Sequence, residues 1–288
     1  MRKAFLVALF VLPLFLSPAW AAPEQGRQLV KAIHYLGSDE PNVNIVSPQH
    51  LPVPSASSKI GPGAYLLLHR PDGSFLCTAN FIWRSGPVLY VGAAGHCFLQ
   101  EGKTSTHGPG ADYDPALTRV EICISNCTFG GQLGAIFGDF LELGRVVYAR
   151  QTRDGEDVGN DFGIVEIPAS VPWEWMDPSI PVWGGPSSIE DVSRGARVCL
   201  YGNGTGSGET FATKARTGLG QDVSSSGDSW SALIPSTPGD SGSAVVTCDP
   251  AEGGFHGRGA AGILTHFGLS GEVFSIFGTT TRRAADMA

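Results

Sequence analysis

"SFLCTANFIW", residues 74–83, and "PVLYVGAAGHC", residues 87–97, are two short apolar runs parted by Arg84, Ser85 and Gly86. Both are rich in aromatic and β-branched residues and too short for an ordinary helix, so each reads as a strand. Working outward, the same texture recurs in "AYLLLHR", "VEICIS", "GRVVYAR", "FGIVEI", "ARVCLYG", "GETFATKAR", "SALIP", "SAVVTC", "AAGILTHFG" and "EVFSIFGTT". Each run is bounded by Gly, Pro, Asp or Ser, the pattern of successive strands in a sandwich or barrel. "RPDGSF", residues 70–75, has the turn chemistry of a hairpin. The reading is all-β, with "TRRAADMA" at the end as a short C-terminal helix and no internal repeat.

Composition agrees. Among 288 residues there are 39 glycines and 20 prolines, and only 16% are charged, which favours turns and short strands over long helices. With 42% hydrophobic residues the chain can fill a sizeable core, as one large all-β domain or two small ones. The net charge of −8 includes Arg2 and Lys3, whose removal would leave the chain more acidic still. A basic footprint for nucleic acid is absent, so none is expected as a partner.

The first 21 residues pair those two cations with an apolar stretch from Ala4 to Leu16 and a small-x-small end, Ala19-Trp20-Ala21. That is a secretory signal peptide. The apolar run, broken by Pro13, is shorter than the roughly 20 residues of a spanning helix, so no membrane association is expected. Residues 22–60 are polar and rich in proline and serine apart from a helical-looking piece at Gln28 to Leu36, and read as a pro-segment or N-terminal arm. Residues 61–288 form the main domain. The protein is expected outside the cytoplasm, extracellular or periplasmic, and its six cysteines are therefore candidates for disulfides in 15 connectivities. Cys123 and Cys127 could close only a small loop. A metal is not expected there, because no histidine or cysteine cluster lies near in sequence.

Three short stretches carry the chemistry. "STPGDSGSAVV", residues 236–246, places Ser241 at a tight turn. "VGAAGHCF" ends an apolar strand in small residues and then sets His96 beside Cys97. "GNDFGIVEI" puts Asp161 at the start of another strand, where a carboxylate can orient an imidazole. Each has a bland reading as a turn or surface residue, the one given to His34, His50, His69, His107 and His256. The chain order His, Asp, Ser is one of the few known for a hydrolytic triad.

On "AAGHC", "NDFGIVEI" and "GDSGSAVV" the sequence resembles the chymotrypsin-like serine peptidases, over about Tyr65 to Thr280. The resemblance implies two six-stranded antiparallel Greek-key barrels with the active site in the cleft between them. It implies a secreted serine endopeptidase with His96, Asp161 and Ser241 catalytic, the N–H groups of Gly239 and Ser241 as oxyanion hole, and no metal or organic cofactor. Polypeptide substrates are the expected partners, with a protein inhibitor or an activating protease as further candidates, and the chain is expected to act as a monomer. It also implies disulfides Cys77–Cys97 and Cys199–Cys248, with Cys123 and Cys127 outside the family pattern. In such enzymes the acid before the serine, here Asp240, is held by a cation, either an amino terminus freed by zymogen cleavage or an internal arginine. Lys59-Ile60-Gly61 is a candidate cleavage point, and no partner for Asp240 is assigned.

For specificity, the position where trypsin-like members carry an aspartate holds Pro235, which argues against a preference for Lys or Arg. Thr265, His266 and Phe267 are candidate pocket walls. His266 with Ser236 or Thr237 could receive an acidic side chain, as in some bacterial glutamate-specific relatives. "YGNGTGSGE", residues 201–209, has glycine spacing like a phosphate loop but lacks the following helix and the βαβ context. Asn126 and Asn203 begin Asn-x-Thr sequons. The competing functional reading is a catalytically silent binding protein on the same scaffold, or an uncleaved zymogen.

Overall fold

A computed structural model describes residues 32–33, 44–46, 59–130, 135–152, 158–204, 214–251, 254–270 and 273–288. The expected signal peptide, 1–21, lies outside the described residues, as does most of 22–60. What is described of that arm is extended: β1 (Ala32–Ile33) pairs antiparallel with β2 (Asn44–Val46), and β2 pairs in turn with the strand at Ile82–Ser85. The helical-looking piece is thus strand at Ala32–Ile33. Its spacing suggested a helix, but an open sheet edge offers unpaired backbone groups that an extended segment satisfies. Ile45 and Val46 are fully buried by the pairing.

The first barrel spans residues 65–166. One sheet has the order β4-β3-β7-β8, from β3 (Tyr65–Arg70), β4 (Gly73–Thr78), β7 (Arg119–Gly130) and β8 (Ala135–Glu142). The other continues outward from β2 as β5 (Ile82–Ser85), β6 (Val88–Ala93), β10 (Phe162–Glu166) and β9 (Val146–Arg150). Two runs turn the corner between the sheets. "SFLCTANFIW" breaks at Asn80, whose buried side-chain oxygen accepts from Phe81 N at 2.7 Å and Trp83 Nε1 at 2.9 Å. The run from β8 into β9 breaks where Leu143 N donates to Val120 in one sheet and Gly144 N to Glu166 in the other. With both runs counted whole, six strands enclose one core built on Leu66, Leu68, Ile82, Val91, Val120 and Val146.

The second barrel follows a two-residue strand, β11 (Ser188–Ile189), that joins it as a parallel edge. Its ring runs β16-β15-β12-β13-β14-β17, from β12 (Arg197–Tyr201), β13 (Ala215–Val223), β14 (Ser229–Leu233), β15 (Ala244–Ala251), β16 (Gly254–Ser270) and β17 (Val273–Thr280). Pairing of β16 with β17 closes it, so six strands enclose Val198, Leu200, Trp230, Val245 and Ile276. A third apolar cluster joins Trp83 and Phe162 of the first barrel to Cys199 and Val246 of the second and to Ala284, which follows its last strand.

The all-β, two-barrel expectation is borne out. The C-terminal helix is Thr281–Met287, capped by Thr280, whose hydroxyl accepts from Arg283 N at 3.2 Å. The three disulfides are Cys77–Cys97, Cys123–Cys127 and Cys199–Cys248, as the resemblance implied for the first and third. Among the described residues no helix is long and apolar enough to cross a membrane.

Candidate active site

His96 enters the site because β6 ends in Ala93 and a four-residue helix, α1 (Gly95–Phe98), starts immediately after Ala94. The Cys77–Cys97 disulfide ties that helix to β4. Asp161 enters from the neighbouring strand, since β10 pairs with β6 and sets Gly163 opposite Ala93. The two therefore meet at one end of the sheet. Asp161 Oδ2 lies 2.7 Å from His96 Nδ1, and Oδ1 accepts from His96 N at 2.8 Å. One carboxylate thus fixes both the ring and the backbone of the histidine. Thr279 Oγ1, from the second barrel, accepts from Asp161 N at 3.1 Å.

The Asp161 side chain is 2% exposed. Burial alone would raise its pKa, but the charge and hydrogen bond of His96, with a smaller contribution from His266, hold it below the usual carboxylate value. For His96, desolvation disfavours the imidazolium while the charge and hydrogen bond of Asp161 favour it. The second effect wins, and the pKa lies above that of a free histidine. With Nδ1 committed to Asp161, Nε2 is the nitrogen left for chemistry.

The serine turn belongs to the second barrel. Gly239 and Gly242 take φ of +95° and +94°, the left-handed backbone that glycine adopts without strain. A side chain at Gly242 would meet Thr78 O at 2.4 Å. The first barrel grips this turn through Thr78, whose N–H donates to Ser241 O and whose hydroxyl donates to Gly239 O, each at 2.9 Å. Neither Gly239 N nor Ser241 N donates to any of the described residues.

Beneath the turn lies the partner that sequence reasoning did not assign. Arg216, on β13, meets the fully buried Asp240 with both terminal nitrogens, at 2.8 and 2.9 Å, and is itself only 4% exposed. Asp240 also accepts from Gly204 N at 2.7 Å and Thr237 N at 2.8 Å. A side chain on Gly204 would come within 2.1 Å of Thr237 Oγ1, and one on Gly202 within 2.2 Å of Asp240. The first glycines of "YGNGTGSGE" make room for this ion pair, and residues 205–209 lie outside the described residues.

His96 and Ser241 line one cavity of about 530 Å3 together with Phe75, Leu76, Lys103 and His266. No hydrogen bond among the described residues joins Ser241 Oγ to His96. Such contacts are often long before substrate binds. The other expected pocket residues are not among those that line this cavity. Ser236 and Thr237 direct their hydroxyls to Asp240 at 3.3 Å, and Pro235 O accepts from Arg216 at 3.1 Å. Thr265 Oγ1 pairs with His266 Nδ1 at 2.8 Å, and Phe267 is exposed. His266 comes within 4.0 Å of Asp161, and burial pushes its pKa below the ordinary histidine value.

Comparison with solved structures returns proteases, some of them described as serine proteases. Protease A of Thermobifida fusca is 17% identical and matches with a TM-score of 0.45, covering 79% of this chain and 94% of that one. The protease Anisep of Arthrobacter nicotinovorans is 13% identical with a TM-score of 0.49, covering 80% and 99%. A glutamic-acid-specific serine protease described as using a histidine triad in substrate binding is 20% identical with a TM-score of 0.43, covering 78% and 95%. No family model and no curated protein matches the chain.

Proposed function

We propose that the protein is an exported serine endopeptidase. The observation that carries this reading is the buried Asp161 holding Nδ1 of His96 at 2.7 Å, beside a cavity that Ser241 shares. Ser241 Oγ attacks the peptide carbonyl while His96 Nε2 takes its proton and then gives it to the leaving amine. Asp161 keeps the imidazole in the tautomer that makes Nε2 the base and stabilises the imidazolium. The N–H groups of Gly239 and Ser241 receive the negative oxygen of the tetrahedral intermediate. Water then hydrolyses the acyl-enzyme by the same route, without metal or organic cofactor.

Arg216 supplies the cation that Asp240 requires, so the turn needs no freed amino terminus. Ile60, the candidate new terminus, is fully buried and its N–H donates to Trp175 O at 2.7 Å. Three disulfides suit an oxidising compartment outside the cytoplasm. Of the expected pocket residues, His266 lines the cavity with Ser241, and its lowered pKa makes it a neutral hydrogen-bond partner for a substrate side chain at pH 7.

A fluorophosphonate probe tests the reading on the secreted protein, with Ser241→Ala beside it and N-terminal sequencing of both. One adduct on the parent and none on the variant is expected, whichever residue begins the chain. A folded parent that takes no adduct would leave the silent binding protein as the better account. Labelling that begins only after cleavage before Ile60 would restore zymogen activation.

A further inference from the structure

The helix that carries His96 has an unusual support at its other end. At four residues, α1 is too short to satisfy its own terminal carbonyls, which need outside donors. One nitrogen supplies them. Arg70 Nη1, at the end of β3, donates to His96 O at 2.7 Å, Cys97 O at 3.2 Å and Leu99 O at 2.5 Å.

The arginine is itself fixed on three sides. Its side chain is 7% exposed, its Nε and Nη2 reach Asp72 at 3.0 and 3.2 Å, and its guanidinium carbon lies 3.7 Å from the centre of the Phe75 ring. Asp72 is held in turn by Glu101 N at 3.0 Å, from the segment that follows α1. The tip of the β3–β4 hairpin, residues 71–75, is exposed. Arg70, Asp72 and Phe75 also wall the cavity that contains His96 and Ser241.

We infer that Arg70 is a positioning residue for the general base: its guanidinium holds the backbone of the His96 helix and couples the exposed β3–β4 hairpin to the reacting imidazole. The inference rests on the endopeptidase reading for its kinetic consequence and on geometry alone for the coupling. A guanidinium suits the task because its planar fork serves the helix carbonyls and the Asp72 carboxylate at once, and a lysine ammonium does not reproduce that fork. Placed at the carbonyl end of α1, the positive charge also meets the negative end of the helix.

The same charge bears on proton transfer. Desolvation and the nearby Arg70 both oppose the imidazolium, against the attraction of Asp161. His266 faces His96 from β16, with ring centres 6.2 Å apart, and Glu101 and Lys103 line the same cavity. Arg150, on β9 packed against α1, is exposed. Asp161 and Arg70 are therefore the charged groups that act on the base.

Arg70→Met and Arg70→Lys test this in the full secreted chain. For Arg70→Met, kcat should fall about 10- to 100-fold, the scale of an ångström-sized misplacement, with KM of a small ester little changed. The acid limb of its kcat/KM profile should rise by about half a pH unit. Arg70→Lys should return the limb toward the parent position and recover only part of kcat. The His96 Nδ1 proton, followed by NMR through a pH titration, reports the same shift without turnover. If no substrate is found, that titration still decides the coupling. A folded Arg70→Met protein with unchanged kcat, acid limb and Nδ1 titration would overturn the inference and leave Arg70 as a hairpin brace.

Discussion

Two carboxylates, Asp161 and Asp240, are both buried but have partners of opposite kinds. Asp161 is paired with an imidazole whose side chain is 31% exposed, whereas Asp240 is paired with an arginine that is 4% exposed. The first partner can gain and lose a proton near neutral pH; the second cannot. On the proposed function, one carboxylate is part of a proton-transfer device and the other of a permanent brace. The loop geometry follows suit: Asp161 accepts from the backbone of the histidine it serves, and Asp240 from Gly204 and Thr237, which shape the floor under the serine. Burial alone does not tell a catalytic acid from a structural one. The partner does.

The largest effect is expected at Asp161. Asp161→Asn keeps the shape but removes the acceptor that selects the tautomer, and kcat should drop on the order of 10⁴-fold at neutral pH with the protein still folded. Kinetics beside near-ultraviolet circular dichroism would check both halves. A loss of fold instead would put Asp161 in the same class as Asp240.

Arg216→Met attacks the other carboxylate and should act on stability first. It leaves Asp240 buried without its cation, which costs about 3–5 kcal/mol for a pair of this kind. The urea midpoint should fall accordingly, and fluorophosphonate labelling of the remaining folded fraction should slow because the serine turn loses its support. Restoring the midpoint by adding Asp240→Asn would show that the stranded charge, and not lost packing, was the cause.

Acidity sharpens the contrast more gently. His96 has a folded pKa raised above 6.5, so kcat/KM should climb through an acid limb lying above that value. Its contribution to stability is complete below the unfolded pKa and is lost as pH rises through the folded one. Asp161, whose pKa is lowered from 3.8, stabilises above that value, and its contribution is lost as pH falls through its folded pKa. The pair is therefore firmest between those limits, on the acid side of the activity optimum. An acid limb below pH 6.5 would mean that Asp161 does not dominate the environment of His96.

The residues proposed to react are easier to pick out in the sequence than the parts that hold them. His96, Asp161 and Ser241 each sit in small-residue or turn contexts at strand ends, and their order in the chain is informative. Arg216 left no comparable signal in "TKARTG": it is a charged residue at an inward position of β13, 24 positions before the carboxylate it meets. The two meet because β12 pairs with both β13, which carries Arg216, and β15, which follows Asp240. The strand break at Asn80 was hidden for a similar reason, since "SFLCTANFIW" has continuous apolar character and the corner is made by one side-chain amide. Ser236 and Thr237 are candidate partners of His266 by resemblance to glutamate-specific relatives, and nothing in the sequence signals that their hydroxyls lie 3.3 Å from Asp240. The strands in 32–46 lay in a polar, proline-rich segment whose pairing depends on an edge supplied from β5.

The smallest effect is expected at a third carboxylate, and it tests whether burial is what gives Asp240 its weight. Glu190 accepts from Arg258 at 2.8 and 3.0 Å, with a geometry as close as that of the Arg216 pair. Arg258, however, is half exposed, and Glu190 also accepts from Thr247 at 2.7 Å and Ser188 at 3.0 Å. Removing the arginine strands nothing, because water and two hydroxyls still solvate the carboxylate. Surface pairs of this kind are screened by salt and often contribute nothing measurable. Arg258→Ala should leave the urea midpoint where it was, and any small difference at low ionic strength should vanish on adding salt. A fall approaching that of Arg216→Met would mean that hydrogen-bond geometry, and not the withdrawal of charge from water, decides what these pairs are worth in this protein.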